Sequence, residues 1–150
     1  MNNSANIESE RGATPLETMA RTLEEWAAGA GEDALTPFDG DGVALVRFGD
    51  GLEASLAVRG EVYASAVAGT LAGCADGAKV CAGLLEAHFL WSDLGGFTFA
   101  LAPDGETVEV QDRRSAEWFG DGEGFAAYLE RYEDAIRTVQ GFLAYNKEEA

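Results

Sequence analysis

The sequence predicts one α+β domain in which helices pack on a twisted five-stranded antiparallel sheet, in the order α-β-β-β-α-β-β-α. Three observations support this prediction. The chain has 150 residues, which is about the length of one domain. Its middle holds short strand-like segments, and the turns between them allow only antiparallel neighbours. Amphipathic helical patterns flank and separate these strands.

The first helix is predicted from the segment TPLETMARTLEEWAAGAG. Thr14 suits the N-cap, Pro15 suits the first helical position, and Glu17 completes a capping box. Gly29 and Gly31 are expected to end the helix. Its apolar residues recur at intervals of three and four and form one stripe: Leu16, Met19, Ala20, Leu23, Trp26 and Ala27.

Three strands are predicted at 43–48, 52–58 and 61–68, after a turn-rich linker at 32–42. In the second of them, leucine, alanine and valine alternate with other residues, which favours one buried face and one mixed face. The DGDG stretch at 39–42 lacks the ligand spacing of a calcium loop, so it is interpreted as a turn.

A second helix is predicted over about 77–90, with Asp76 as its cap, followed by strands at 97–102 and 107–112 around the APDGE turn. Apolar residues cover much of this helix: Val80, Cys81, Leu84, Leu85 and Phe89, with Ala78, Ala82 and Ala87 on much of the remaining surface. Such a helix is either central in the domain or shared with another subunit.

The last helix is predicted over about 122–146, after Asp121. Its apolar residues are spaced four and three apart in alternation: Phe125, Leu129, Tyr132, Ile136, Val139 and Leu143. This stripe is compatible with a coiled coil. The favoured interpretation is a long helix that lies across the sheet.

The charge of the chain excludes several classes of function. Its formal net charge is −17, which disfavours binding to nucleic acids and to anionic membrane surfaces. The chain has no apolar run of membrane-spanning length, and its first residues do not resemble a secretory signal. We therefore expect a cytoplasmic protein without membrane insertion, with a disordered tail at 1–13 and a single domain at 14–150.

No residue pattern indicates catalysis, a metal or a cofactor. His88 is the only histidine, and the spacing of Cys74 and Cys81 fits neither a redox pair nor a zinc half-site. We interpret both thiols as reduced and half-buried. His88 is interpreted as a residue at a helix-to-strand corner, where Gly95 and Gly96 allow the chain to turn. An enzyme that uses Cys81 and His88 is a distant alternative, because a reactive thiolate needs an electropositive setting.

Trp118 and Phe119 lie in the connection between the last strand and the last helix. They either pack under the helix or offer an apolar contact to a partner, since tryptophan, phenylalanine and arginine are enriched in interface cores.

Two segments make the chain resemble a known family. These are LLEAHFLWSDLGGFTFALAPDGETVEVQDRR and the terminal FAAYLERYEDAIRTVQGFL. With the short length, the acidic charge and the order of elements, they are similar to the class I type III secretion chaperones, the CesT/Tir-chaperone-like group. The resemblance covers roughly 14–146.

The resemblance implies a non-enzymatic chaperone that forms a homodimer through its second helix, at Leu84, Leu85 and Phe89. It also implies that the chaperone binds the extended N-terminal segment of a secreted effector and keeps it soluble and export-competent, without ATP. Strand positions expected to bind the partner are Val43, Leu45, Val62 and Val67, with Trp118 and Phe119 as further candidates. An adaptor or regulatory module on the same fold, without a secretion client, is the alternative.

Overall fold

The computed structural model describes residues 14–88, 96–115 and 122–147. Three helices accompany one antiparallel sheet, in which the strand order is β1-β2-β3-β4-β6-β5. The helices are α1 (Pro15–Ala30), α2 (Gly77–His88) and α3 (Gly122–Tyr145), and the strands are β1 (Leu35–Thr36), β2 (Val43–Gly49), β3 (Leu52–Arg59), β4 (Glu61–Thr70), β5 (Thr98–Leu101) and β6 (Thr107–Ser115). The predicted α+β class is confirmed.

The sheet has six strands among the described residues, so the predicted number of five is wrong. The extra strand is β1, which lies in the predicted linker after a short 3₁₀ helix at Glu32–Ala34. It pairs with β2 through Leu35 opposite Val46 and Thr36 opposite Leu45. A strand of two residues has no alternating pattern, so its sequence carries no signal for a strand.

The start of α1 follows its sequence pattern closely. The Thr14 hydroxyl oxygen accepts from the backbone N–H of Glu17 at 3.2 Å, and the Glu17 carboxylate accepts from the backbone N–H of Thr14 at 3.3 Å. The predicted capping box is therefore confirmed. At the other end, Gly29 lies within the helix and only Gly31 lies beyond it, where its N–H donates to the Ala27 carbonyl.

The predicted meander of β2, β3 and β4 is confirmed, with each strand one or two residues longer than expected. The DGDG turn precedes it, and the Asp39 carboxylate accepts from the backbone N–H of Asp41 at 2.8 Å and of Val43 at 3.0 Å. Gly42 has a φ of +76°, and a Cβ there would lie 2.9 Å from the Val58 carbonyl oxygen. The turn therefore needs glycine at this position.

Helix α3 lies across β4 and β6 and beside α1, so the favoured interpretation of the last helix is confirmed. Every residue of its predicted stripe is buried. The Tyr132 hydroxyl donates to the Val110 carbonyl at 2.6 Å, which ties the helix to β6. Because the stripe is used inside the domain, it is not available for a coiled coil.

Helix α2 packs beside β5 and against the end of α3. The Asp76 carboxylate accepts from the backbone N–H of Lys79 at 3.1 Å, as predicted for a cap. Val80 and Leu84 belong to the common core. The predicted end of this helix at 89–90 and the Asp121 cap of α3 lie outside the described residues.

Candidate protein-binding surfaces

The sheet has two different faces. One face carries the core and the helices, and its residues are mostly buried. The other face, called here the open face, is partly or fully exposed along all five longer strands. Its residues are Val43, Leu45 and Arg47 on β2, Glu53, Ser55, Ala57 and Arg59 on β3, Glu61, Tyr63, Ser65 and Val67 on β4, Thr98 and Ala100 on β5, and Glu109, Gln111 and Arg113 on β6.

Apolar side chains form a row across the open face. Val43 pairs with Ala57, Ala57 pairs with Tyr63, and Tyr63 pairs with Arg113. Tyr63 is 40% exposed and Val67 is 54% exposed. A large half-exposed aromatic residue beside aliphatic neighbours is typical of a contact surface rather than of a solvated sheet face.

The structure places the four predicted strand residues on two faces. Val43, Leu45 and Val67 lie on the open face, where a partner can reach them. Val62 is 1% exposed and belongs to the core, so its side chain offers no surface to a partner in this fold. Its neighbour Tyr63 lies on the open face instead, because successive strand residues point to opposite faces.

The charged side chains of the open face neutralise one another. Arg47 forms an ion pair with Glu53 at 3.1 Å. Arg113 forms another with Glu61, and its guanidinium lies 5.7 Å from the centroid of the Tyr63 ring. The hydrogen bond from Arg113 lowers the pKa of the Glu61 carboxyl below its ordinary value. Three arginines and three glutamates occupy the face, so its formal charge is zero.

A groove of about 360 Å³ lies on the open face between β4 and β5. It is lined by Tyr63, Ala64, Ser65, Thr98, Gln111, Asp112 and Arg113. Strand β5 begins at Thr98, opposite Gln111. Within the described ranges, no β5 residue therefore stands opposite Arg113, and the resulting step in the sheet leaves the groove.

A larger depression of about 620 Å³ lies at the β1 end of the sheet. The end of α1, the 3₁₀ helix and the β2–β3 turn line it, and the ion pair of Arg47 and Glu53 from the open face lies at its edge. Glu32 and Asp33 are exposed there, and the last turn of α1 has no basic residue. The negative end of the helix dipole adds to this charge, so the depression is acidic where the open face is neutral.

The outer side of α2 forms a second apolar surface. Ala78, Ala82 and Leu85 are exposed at helical spacing, and Leu85 is 64% exposed. Leu101 on the neighbouring strand β5 is also exposed. By contrast, Leu84 is 3% exposed and packs into the core. The third predicted interface residue, Phe89, lies outside the described residues.

A partly buried polar cluster joins β6 to α3, and the sequence pattern does not indicate it. The Tyr128 hydroxyl donates to the Asp112 carboxylate at 2.8 Å, and Arg114 pairs with the same oxygen at 2.6 Å. The Arg114 guanidinium also lies near the rings of Phe97 and Tyr128, at 5.8 and 5.7 Å from their centroids. Burial, followed by the charge of Asp112, raises the pKa of Tyr128.

The remaining candidates show no catalytic arrangement in the part of the chain that the structure describes. Cys74 and Cys81 are free thiols and half-buried, as expected. His88 is the last residue of α2, and its side chain lies outside the description, as do Trp118 and Phe119. Gly96 has a φ of +92°, which suits the predicted corner before β5. In the same described ranges, acidic, histidine and cysteine side chains form no group that could hold a metal.

The fold and its surfaces define a class: an α+β domain with one exposed sheet face and a second exposed apolar surface on α2. No described helix is both long and apolar enough to cross a membrane. No protein-family model matches the chain, and a search of characterised proteins finds no significant match.

Solved structures share this architecture. The ExsC–ExsE complex is similar with a TM-score of 0.67 and 19% identity, over 85% of this chain and 95% of that chain. The type III secretion chaperone SycH of Yersinia pestis, in complex with a stable fragment of YscM2, aligns with a TM-score of 0.57 and 21% identity, over 81% of this chain and 99% of that chain. The ExoU–SpcU complex from the type III secretion system of Pseudomonas aeruginosa aligns with a TM-score of 0.59 and 16% identity, over 86% of this chain and 97% of that chain. The chain therefore has the fold of type III secretion chaperones, as the resemblance implied.

Proposed function

We propose that this protein is a non-enzymatic secretion chaperone that binds the extended N-terminal segment of a secreted effector and keeps it soluble and export-competent. Two observations support the proposal. The fold matches that of a type III secretion chaperone solved together with a fragment of a partner protein, and the strands of this chain expose one face of the sheet. An uncovered face of this kind is a ready surface for a bound segment.

The proposed mechanism is binding alone. Apolar side chains of the open face, with Val43, Leu45 and Val67 among them, cover apolar side chains of the client that would otherwise cause aggregation. The rest of the chain supplies a net charge of −17, which keeps the complex soluble and repels other copies. In this mechanism the free energy of client binding is the only energy used, and no nucleotide is consumed.

The protein is proposed to act as a homodimer formed through α2. The exposed row of Ala78, Ala82 and Leu85 supports this role, because small residues let two helices approach closely. Leu101, on the strand β5 beside this helix, is a further exposed apolar side chain. Leu84 would support the interface from beneath, and Phe89 is proposed to extend it. The protein is also proposed to work in the cytoplasm, where a secretion client is made.

Affinity capture from the native host tests the proposed function. We expect to recover a larger secreted protein whose N-terminal segment resists protease only while this chain is bound. Recovery of regulatory proteins alone, none of them secreted, would contradict the chaperone function and favour the adaptor. Trp118 and Phe119 are proposed as partner contacts, and their replacement by serine should then weaken the captured complex.

A further inference from the structure

We propose that the groove beside Tyr63 and the exposed side chain of Val67 are two anchor points for large apolar side chains in an uncharged, extended segment of the client. This inference rests on the proposed function and specifies the chemistry of the segment that the open face selects.

The first anchor point is the groove between β4 and β5. Its volume of about 360 Å³ is at the lower end of the range for sites that enclose a small ligand, so it suits one large side chain. Tyr63 forms one wall and Thr98 the other, while Ser65 and Gln111 lie in one row across β4 and β6 between them. Arg113 lies against the Tyr63 ring and holds this wall in place.

The second anchor point lies on the same strand and the same face. Val67 is 54% exposed and follows Tyr63 by four residues, which places it about 13 Å further along the strand. An extended segment that runs along β4 spans the same distance in four residues. The geometry therefore selects apolar side chains four positions apart.

The charge of the open face determines the character of the segment. The chain has 10 basic and 27 acidic residues, yet three of each occupy this face. An acidic segment would be repelled by the chain as a whole. A basic segment would be attracted to the acidic depression beside Glu32 and Asp33. An uncharged segment is the one that the neutral face favours over these other surfaces.

A synthetic peptide tests this inference without a known client. The peptide contains two Phe residues four positions apart, and all its other residues are Ser, Thr or Gln. We expect calorimetric binding to the full chain, and a Kd about tenfold weaker for Tyr63→Ser and for Val67→Ser, as for other buried apolar anchors. The matched control Tyr145→Ser, at the exposed end of α3, should bind as the wild type does.

Several results would overturn the two anchor points. These are no binding of the peptide to the wild type, equal binding to Tyr63→Ser and Val67→Ser, and equal binding of a peptide whose two Phe residues are adjacent. Both replaced side chains are exposed, and equal thermal unfolding of all variants shows that a change in Kd does not come from misfolding. Changes in the NMR chemical shifts of the Ser65 and Gln111 backbone amides on adding the peptide would locate it in the groove. Chemical-shift changes confined to α1 would contradict the assignment.

The same variants separate this inference from the proposed function. If the captured client is protected equally by the wild type and by Tyr63→Ser, the anchor points are wrong and the chaperone function stands. If the wild type protects no client at all, the chaperone function is wrong. In that case peptide binding that is sensitive to Tyr63 still establishes the anchor points.

Discussion

The Tyr128 hydroxyl lies 2.8 Å from the Asp112 carboxylate and donates a hydrogen bond to it. This contact joins the first turns of α3 to β6, at the end of the sheet next to the Tyr63 groove. The Asp112 side chain lies on the helix-covered face of the sheet, opposite Ala64. This partly buried cluster therefore fixes α3 to β6, the strand whose next residue, Arg113, lines the groove on the open face.

Tyr128→Phe removes only the hydroxyl that donates to the Asp112 carboxylate. A hydrogen bond to a charged group contributes about 1.5–3 kcal/mol, and its loss leaves a carboxylate with one partner fewer. We expect the free energy of unfolding in urea to fall by about that amount. Tyr145→Phe is the matched control, because Tyr145 is 87% exposed. Equal stability of the two variants would contradict this role of Tyr128.

Two helical glycines should respond differently to alanine. In Gly141→Ala nothing lies within 4 Å of the added Cβ, whereas in Gly83→Ala it would lie 2.7 Å from Cζ of Phe142. We expect Gly141→Ala to stabilise the protein by about 0.5–1 kcal/mol, as helix propensity predicts, and Gly83→Ala to lose that gain. Thermal unfolding measures both effects.

A second substitution tests the cause of this difference. If the Phe142 ring is the obstacle, Gly83→Ala should be better tolerated when Phe142→Leu is already present than when Phe142 is retained. The stability of the double variant is therefore compared with that of Phe142→Leu alone. Equal stabilisation by Gly83→Ala and Gly141→Ala would show that the close packing of α2 on α3 has been misjudged.

The β5–β6 turn should depend on pH through Asp104. Its carboxylate accepts from the Thr107 hydroxyl at 2.6 Å and from the backbone N–H groups of Thr107 and Glu106, each at 2.8 Å. These hydrogen bonds lower the pKa of Asp104 below its ordinary value, and the bond from the Thr107 hydroxyl contributes most. The stabilisation is therefore complete above the unfolded pKa of about 3.9 and is lost as the pH falls through the lower folded pKa.

Asp104→Asn should accordingly destabilise the protein at neutral pH and have little effect in strong acid. Urea unfolding of the variant and the wild type at both pH values measures the difference. Glu106→Gln removes a neighbouring exposed carboxylate in the same turn and should show no such trend. A penalty for Asp104→Asn that is the same at both pH values would contradict the ionic origin of the effect.

The proposed dimer makes its own prediction. Leu85→Asp places a charge in the exposed apolar row of α2, and burial of an unpaired charge in an interface is strongly unfavourable. We expect light scattering to show a dimer for the wild type and a monomer for Leu85→Asp. Leu16→Asp, at an exposed position of α1, should remain dimeric. A monomeric wild type at micromolar concentration would contradict the dimer itself.

Local patterns were enough to predict most of the fold. The capping box at Thr14, the alternation in β3 and the stripe of α3 each depend on the period of one element, so one sequence suffices. Strand β1 could not be predicted, because two residues carry no period and its pairing is fixed by tertiary contacts. One such contact is the hydrogen bond from Arg47 to the Asp33 carbonyl.

The candidate site was harder to predict than the fold. An alternating strand shows which residues share a face, but in β4 both sets contain apolar residues. Val62 was therefore expected on the surface that Tyr63 occupies. The Asp112–Tyr128 pair joins residues 16 positions apart, and nothing in their local sequences indicates that they meet. Such pairs follow from the packing of α3 on β6.

The central claim is that the chain holds an extended segment of a secreted protein on its open face. Hydrogen–deuterium exchange of the purified complex, without ATP, tests it most directly. We predict slower exchange in the N-terminal segment of the client and in β4 and β6 around Tyr63 and Gln111, while the acidic depression at the β1 end is unchanged. Unchanged exchange in β4 and β6, with the client protected elsewhere or nowhere, would contradict the account.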